Sequence, residues 1–519
     1  MVRSTLLLAA LSAISLVSAK WVDYDRPEDI YAKSGMYSVK VNGTYAKTVS
    51  YNQYDYLHIS MSEGPSTEFR VAAVDGQKIT EQPVISPKQL PIVSRIEGNE
   101  LIFSLKKVHY LIIKFKDKKE LIIAIDPLET DVPPSKGDGI FNVLDYGADN
   151  KGKGVTTGIQ KAMDAAAKKP GSIVYVPPGL YLIGNLMLRN RTSLYLAGGS
   201  VLRNTAKKSD YKVLWTKSDL GDGTWWIQTE FDSQDIKVYG RGTLDGNGKA
   251  SVGASPKLVA DILVPVGTTN FKCDGILVRD SSFWAVSLIQ VTDATITNIK
   301  IFDRFDVKQN DGIDVNESTK VRVRRAIAVA NDDSFSTKTW PQDVGTTVPY
   351  PYPPRPLRDV IFDDCFAWTY CYAFKVGQGV YQEQDGVTFK NGVVYRAGVG
   401  LGIHHLFGTA AAKNVRFENM DLERVEGEPG GTGAWLAVFV HDNGKGVGPI
   451  QNVYVKNIRA RKLGKYQAKL AGVDEKSMVD TVTFSDVFML ENKTAATNLD
   501  QLNVKWRQFS KNIKFDNTK

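Results

Sequence analysis

The sequence predicts an all-β chain, a parallel β-helix preceded by a small β-sandwich, and three observations carry that reading. First, four short segments repeat one pattern: Val360-Ile361-Phe362-Asp363-Asp364, Val387-Thr388-Phe389-Lys390-Asn391, Val415-Arg416-Phe417-Glu418-Asn419 and Val453-Tyr454-Val455-Lys456-Asn457. The first three start 27 and 28 residues apart, the spacing of stacked structural units. Second, only Thr157 to Lys169 reads as a helix, with Ile159, Met163 and Ala166 at helical spacing and Pro170-Gly171 ending it. Third, Met36 to Pro127 alternates in short β-rich runs separated by Asn42-Gly43, Asp75-Gly76 and Glu97-Gly98-Asn99, the signature of a small sandwich.

In the repeat, apolar residues at alternate positions point inward. The Asx residue four positions on suits a turn whose side chain bonds backbone groups of its own or the next coil. A leucine-rich array or a propeller would show L-x-x-L-x-L or Trp-Asp signatures, and neither occurs. Between the two β regions, Asp131-Val132-Pro133-Pro134-Ser135-Lys136-Gly137-Asp138-Gly139 reads as a linker. The domains expected are therefore 20–135 and 136–519.

At 519 residues the chain exceeds one compact core, and its 43% hydrophobic and 24% charged content is that of an ordinary folded protein. Arg3, the apolar run Leu6 to Val17 and the small-residue site Val17-Ser18-Ala19 predict a secretory signal peptide over residues 1–19. No later stretch approaches the roughly 18 apolar residues of a membrane span, so a soluble, extracellular, monomeric protein is expected. Sequons at Asn42, Asn190, Asn316 and Asn492 fit that route. Three cysteines exclude a disulfide framework; Cys365 and Cys371 are placed either to pair or to act as small buried hydrophobes. The net charge of +8 is spread over a large surface, which argues against a nucleic-acid partner.

Phe141-Asn142-Val143-Leu144-Asp145-Tyr146-Gly147-Ala148 and Val174-Tyr175-Val176-Pro177-Pro178-Gly179-Leu180-Tyr181 resemble the opening of the pectinase-type β-helix. Downstream come Gly240-Arg241-Gly242-Thr243-Leu244-Asp245-Gly246-Asn247-Gly248, Ser281-Ser282-Phe283-Trp284, Asn310-Asp311-Gly312-Ile313-Asp314 and Asn331-Asp332-Asp333. In that order they resemble the landmarks of glycoside hydrolase family 28, the polygalacturonase family. The front domain looks more like the β-sandwich of family 49, the dextranase and isopullulanase family. The resemblance implies a right-handed β-helix and an inverting hydrolase acting on a polysaccharide, with Asp332 as general acid and Asp311 and Asp333 handling the water. No cofactor and no catalytic metal are expected.

The chemistry is consistent with the residues. Asp311 and Asp332 are 21 residues apart, about one short coil, so their strands can lie roughly 4.8 Å apart. Inverting hydrolysis needs one protonated carboxyl for the leaving oxygen and a carboxylate across the sugar to activate water. Asp311-Gly312 and Asn331-Asp332-Asp333 are also ordinary turn chemistry. Asp363-Asp364 is a second acid pair, at the turn position of the repeat. Aromatic platforms are expected among Trp225, Trp226, Trp284, Trp340, Trp368 and Tyr370. The Pro-rich stretch from Thr339 to Pro356 suits a stiff wall to the cleft. The substrate-binding set expected is Asn310, Trp340, Tyr372, Lys375 and His404.

The chain departs from the family twice. Polygalacturonases carry Gly-His-Gly after the acid pair and Arg-x-Lys on a later coil; here the corresponding stretches read Tyr370-Cys371-Tyr372-Ala373-Phe374-Lys375-Val376-Gly377 and Leu401-Gly402-Ile403-His404-His405. An Arg fork grips a carboxylate bidentately and glycine cannot replace it, so an α-linked neutral or partly acidic glycan is expected. Arg396 or Lys413 could take the missing role only through a shifted alignment. Lys320, Arg322, Arg324 and Arg325 lie between the aspartates, and alternation turns Arg322 and Arg324 outward. Adjacent His404 and His405 point apart on a strand, so no metal pair is expected. The rival functions are β-elimination by a lyase on the same fold and glycan binding without catalysis.

Overall fold

A computed structural model describes residues 19–74, 76, 78–217, 220–341, 350–428, 431 and 433–518. The predicted leader, apart from Ala19, lies outside the described residues, as do residues 342–349 of the Pro-rich stretch. Among the described residues, no helix is long and apolar enough to cross a membrane.

The front of the chain forms a six-stranded and a five-stranded sheet packed face to face. Their shared core contains Val39, Leu57, Phe69, Phe103, Leu121 and Ile123, contributed by alternate positions of each strand. The central pair, Tyr54–Met61 and Glu120–Pro127, runs parallel and is almost wholly buried. This sheet ends at Pro127, and the first strand of the second region is Ile140–Asn142.

That second region is a right-handed parallel β-helix. A 20-stranded sheet runs from Ile140–Asn142 to Ser510–Phe515, and a 12-stranded sheet from Leu186–Leu188 to Val504–Trp506. The helix Gly158–Ala166 sits beside the first coils, burying Ile159, Met163 and Ala166. The repeat is the stack itself. Val360 pairs with Val387 and Phe362 with Phe389, while Val415 pairs with Val453 and Phe417 with Val455. The rings of Phe362, Phe389 and Phe417 stack at 5.1 and 5.4 Å.

Asp364, Asn391, Asn419 and Asn457 hold left-handed φ of 55°, 54°, 56° and 50°, turning the chain at a corner where Asx residues are tolerated. Their side chains differ from the expected backbone bonding. Asn391 donates to Asp363 Oδ1 at 2.7 Å, Asn419 to Asn391 Oδ1 at 3.0 Å and Asn457 to Asn419 Oδ1 at 2.9 Å, a ladder along the coils. Asp363 thus belongs to the scaffold.

Of the two readings open for the cysteines, the unpaired one holds: all three are free, with Cys273 and Cys365 buried and Cys371 partly so. One expectation is corrected. Asn316 is fully buried within the strand Ile313–Asn316, so that sequon is closed to glycosylation, whereas Asn42, Asn190 and Asn492 are exposed.

The sandwich docks on one strip of the 20-stranded sheet through an aromatic seam that includes Tyr54, Tyr56, Phe302, Phe305, Trp368 and Tyr395. At its centre the buried carboxylate of Asp126 ion-pairs with Lys300 and lies 3.6 Å from Arg241 Nε, both across the seam. Tyr110 Oη donates to it and His58 Nε2 lies 2.8 Å away. Burial, reinforced by Lys300, lowers the His58 pKa from 6.5 to about 3, so the folded state keeps the imidazole neutral. A folded pKa below the unfolded one gives stability that is complete above pH 6.5 and is lost as pH falls toward 3. We therefore expect the unfolding free energy, measured in denaturant, to drop by about 2 kcal/mol from this group between pH 6.5 and 5. His58→Gln should remove that part of the pH dependence.

Candidate active site

The outer face of the 12-stranded sheet carries a row of polar residues because strand alternation sends every second side chain away from the core. Ile313, Val315, Phe335, Phe374, Val376, Leu401 and Ile403 point inward. Ser287, Asp314, Ser336, Lys375 and Gly402 stand in register on the outer face of successive coils. Ile313 pairs with Phe335, which makes this coil 22 residues long. Asp311 therefore lies beside Asp333, and Asn310 beside Asp332, one place from the expected match. Asp311-Gly312 is not a plain turn pair. A Cβ at Gly312 would lie 2.3 Å from Ser334 O, and its N–H donates to Asp333 O at 2.8 Å, so glycine is required for the two coils to close here.

A cleft of about 420 Å³ opens over this place, lined by Asp311, Asp332, Asp333, Lys338, Trp284 and Trp340, with Lys217, Tyr381, Phe407 and Lys445 along its walls. Asp311 and Asp333 are buried, and Asp332 is partly exposed. The Lys338 ammonium donates to Asp311 Oδ2 at 2.5 Å and lies 2.8 Å from Asp314 Oδ1 and 4.0 Å from Asp333 Oδ2. It also sits 4.1 Å above the Trp284 ring. Lys375 donates to Asp333 Oδ2 at 2.7 Å. Asp332 makes no ion pair among the described residues; its Oδ1 accepts from Asp333 N at 2.9 Å.

The electrostatic settings of the carboxyls differ accordingly. Burial drives Asp311 well above the usual carboxylate range against the pull of Lys338, and it raises Asp314 for the same reason. Burial also opposes the charge on Asp333, but Lys375 and Lys338 overcome it and hold Asp333 below the usual range. Lys338 is itself desolvated, yet Asp311, Asp314 and Asp333 raise it well above an ordinary lysine.

The expected binding residues divide. Trp340 lines the cleft and packs on Phe407. Asn310 does not line it: its amide is fully buried, donating to Arg304 O at 2.7 Å and accepting from Asn331 N at 2.8 Å, so it fixes the two turns that present the aspartates. Lys375 is 1% exposed and bound to Asp333 rather than open to a ligand. Tyr372 and His404 lie behind the acids, their rings stacked at 6.0 Å, with Phe439 4.5 Å beyond His404. His405 is buried, with Nε2 2.8 Å from Ala410 O. Among the expected platforms, Trp225, Trp226 and Trp368 are core, and Tyr370 stacks on Phe305. Tyr350 is buried against Trp225, Val264 and Ile289, so this end of the Pro-rich stretch lies against the sheet beside the cleft.

Reasoning from sequence missed Lys338, Asp314 and the depth of Lys375. The available signal was one lysine in each of two strands that are otherwise uncharged, Phe335–Thr339 and Tyr372–Val380. Arg396 and Lys413 cannot enter the site: they pair with Glu426 and with Glu383 and Asp385, away from the cleft. Arg322 pairs with Asp359 and Arg324 is exposed, as alternation requires. Asp332, Asp333 and Cys371 bring donor atoms within 4.8 Å of one another. The Lys375 ammonium on Asp333 already supplies the positive charge that an ion would bring there.

The sequence model of Glycosyl hydrolases family 28 matches residues 189–349, the coils that hold all three aspartates. An exopolygalacturonase of Zea mays is 24% identical over 40% of this chain and 51% of its own length. An exo-poly-alpha-D-galacturonosidase of Dickeya chrysanthemi is 26% identical over 38% of this chain and 41% of its own. The chain thus spans about half the length of the curated relatives it matches. Among solved structures, the family 28 exopolygalacturonase of Yersinia enterocolitica superposes with a TM-score of 0.51 at 15% identity, covering 95% of this chain and 96% of that one. Dex49A from Penicillium minioluteum gives 0.57 at 13% identity, covering 94% and 95%. The chain is therefore a right-handed β-helix protein, similar to family 28 over the coils that carry Asp311, Asp332 and Asp333, with a whole-chain fold like that of the Yersinia enterocolitica exopolygalacturonase and of Dex49A.

Proposed function

We propose that the protein is an inverting glycoside hydrolase that cleaves an α-linked polysaccharide, with Asp332 as general acid and Asp311 and Asp333 orienting and deprotonating the water. The observation that carries this reading is the convergence of three carboxylates from two coils on one cleft, two buried against lysines and the third reaching solvent without an ion pair. A carboxyl that donates a proton to a leaving oxygen must be accessible from the cleft, and Asp332 lines it and is partly exposed. A carboxylate that accepts a proton from water is best kept ionised, and Lys375 does that for Asp333. The family match over residues 189–349 and the curated names of the relatives support the same chemistry. The apolar leader supports a secreted protein. β-Elimination is disfavoured, because Lys338 and Lys375 are both held in buried ion pairs and neither is free to abstract a proton beside a uronate.

The substrate we favour is neutral or only partly acidic, in the manner of a dextranase or isopullulanase. Gly402 and His404 occupy the stretch where a uronate-gripping Arg and Lys are expected, and a Cβ at Gly402 would lie 2.5 Å from the Tyr372 ring. No longer side chain fits there while that ring is in place. The second reading, a divergent polygalacturonase, draws on Lys217 and Lys445, which line the cleft walls.

Asp332→Asn should lower turnover by roughly 10²–10⁴-fold while leaving glycan binding intact, because the amide keeps the shape and cannot act as an acid. Asp311→Asn and Asp333→Asn should also cripple the enzyme and Asp363→Asn should not; retention of more than about a tenth of wild-type kcat by Asp332→Asn would overturn its role. Proton NMR of the first-formed sugar should show the inverted anomer, and a retained anomer would contradict a water placed between acid and base. In a reducing-sugar screen, neutral or partly acidic α-glycans should exceed polygalacturonate in kcat/KM. A preference of about tenfold the other way, about 1.4 kcal/mol in the transition state, favours the polygalacturonase reading.

A further inference from the structure

We propose that Asp314 is a positioning residue that holds a proton for the buried cluster, so that Lys338 keeps Asp311 ionised as a water-activating carboxylate. The proposal rests on the hydrolase reading for the role of Asp311, and on charge and geometry for the rest.

Five charged groups are buried together: Asp311, Asp314, Asp333, Lys338 and Lys375. Three carboxylates against two ammoniums leave one negative charge without a counter-ion, and an uncompensated buried charge is strongly unfavourable. One of the three carboxyls therefore keeps a proton. Asp333 is excluded, because Lys375 serves it alone at 2.7 Å and Lys338 stands 4.0 Å away. Lys338 is shared by the other two, at 2.5 Å from Asp311 and 2.8 Å from Asp314, so the proton belongs to that pair.

Burial raises both Asp311 and Asp314, Asp311 the further, so desolvation alone would put the proton on Asp311; the geometry of the two carboxyls points the other way. Asp311 lines the cleft. Asp314 has zero exposure, its Oδ1 takes Ser336 Oγ and Lys338, and its Oδ2 has no partner. A buried carboxyl with an unpartnered oxygen is far less costly as the neutral acid than as the anion. Its surroundings push the same way. Asp261, whose pKa burial raises to about 8, lies two coils back and accepts from Ser287 on the coil between, and Asp333 faces Asp314 from the next coil. The buried Tyr350 phenol and Glu317 stand near it as well, and Lys375, the other ammonium of the cluster among the described residues, is already held by Asp333.

The acid limb of the kcat/KM profile reports ionisation of the base in the free enzyme. If Asp314 is already neutral, Asp314→Asn keeps its charge state and leaves the limb within about 0.3 pH units of wild type. Lys338→Met removes the cation that keeps Asp311 ionised and should move the limb up by about one unit or more. A fall of about one unit in Asp314→Asn would show that Asp314 was the anion and Asp311 the proton holder, and would overturn the proposal. Difference infrared spectra of wild type against Asp314→Asn at pH 7 read the same state without turnover. Loss of a protonated-carboxyl C=O band supports the proposal, and loss of carboxylate bands refutes it. Asp311→Asn separates the two ideas. If it remains active, the hydrolase reading of Asp311 fails whatever the infrared shows. If it is inactive while the limb and the band disagree with the expectation, only the role of Asp314 fails.

Discussion

In a parallel coil every side chain lies about 4.8 Å from its counterpart on the coil before, so a charge on a buried face always has a charged, polar or apolar neighbour fixed in place. The register that pairs Ile313 with Phe335 brings Asp311 and Asp333 together, and the next coil brings Lys375 against Asp333. Carboxylates crowded in this way would repel one another in a low-dielectric setting. Lys338 and Lys375, rising from the same sheet face, offset that repulsion.

The front domain obeys the same constraint on the opposite flank. Asp126, buried between sandwich and β-helix, is compensated by Lys300 and Arg241 from two different coils. By covering the strip that contains Phe302, Ile327, Val329 and Trp368, the sandwich buries one outer flank of the stack. The face bearing Asp311, Asp332 and Asp333 belongs to the other sheet and stays open to the cleft. Trp368, a plausible sugar platform from sequence, is consumed by this docking.

Legibility in the sequence followed the range of the interactions. The Val-x-Phe-x-Asx repeat was readable because coil stacking makes each unit solve the same packing problem, and Val360, Val387 and Val415 show it at near-equal spacing. The three aspartates were readable as a constellation, but their register was not. A spacing of 21 suggested Asp332 beside Asp311, whereas the coil holds 22 residues and sets Asp333 there. Nothing local distinguishes the two. Asn310, expected among the substrate-binding residues, instead has both ends of its amide taken by the turn. The Asp126–Lys300 contact spans 174 residues between two domains, and no pattern in either segment points to the other.

The altered motifs beyond the acid pair form one physical unit. The ammonium of Lys375 sits 4.6 Å from the Tyr372 ring; behind that ring follow His404, Phe439 and Lys469, the last 5.1 Å from the Trp506 ring. Tyr372 can lie in this column only because Gly402 presents no side chain. Burial and the nearby Lys375 lower the His404 pKa to about 3, so it stacks as a neutral ring and adds no second cation beside Asp333. A histidine in the place of Lys375 would lose its charge near neutral pH, and Asp333 would then ionise only with difficulty in its buried position. A lysine cannot be lost in that range, and its long stem needs the packing that Tyr372 supplies. Replacing a titrating partner by a permanent cation thus requires the aromatic column, and the column occupies the space that an arginine fork would need. Lys375, Tyr372 and Gly402, from the two stretches that differ from the expected polygalacturonase pattern, are thus parts of one arrangement that holds Asp333.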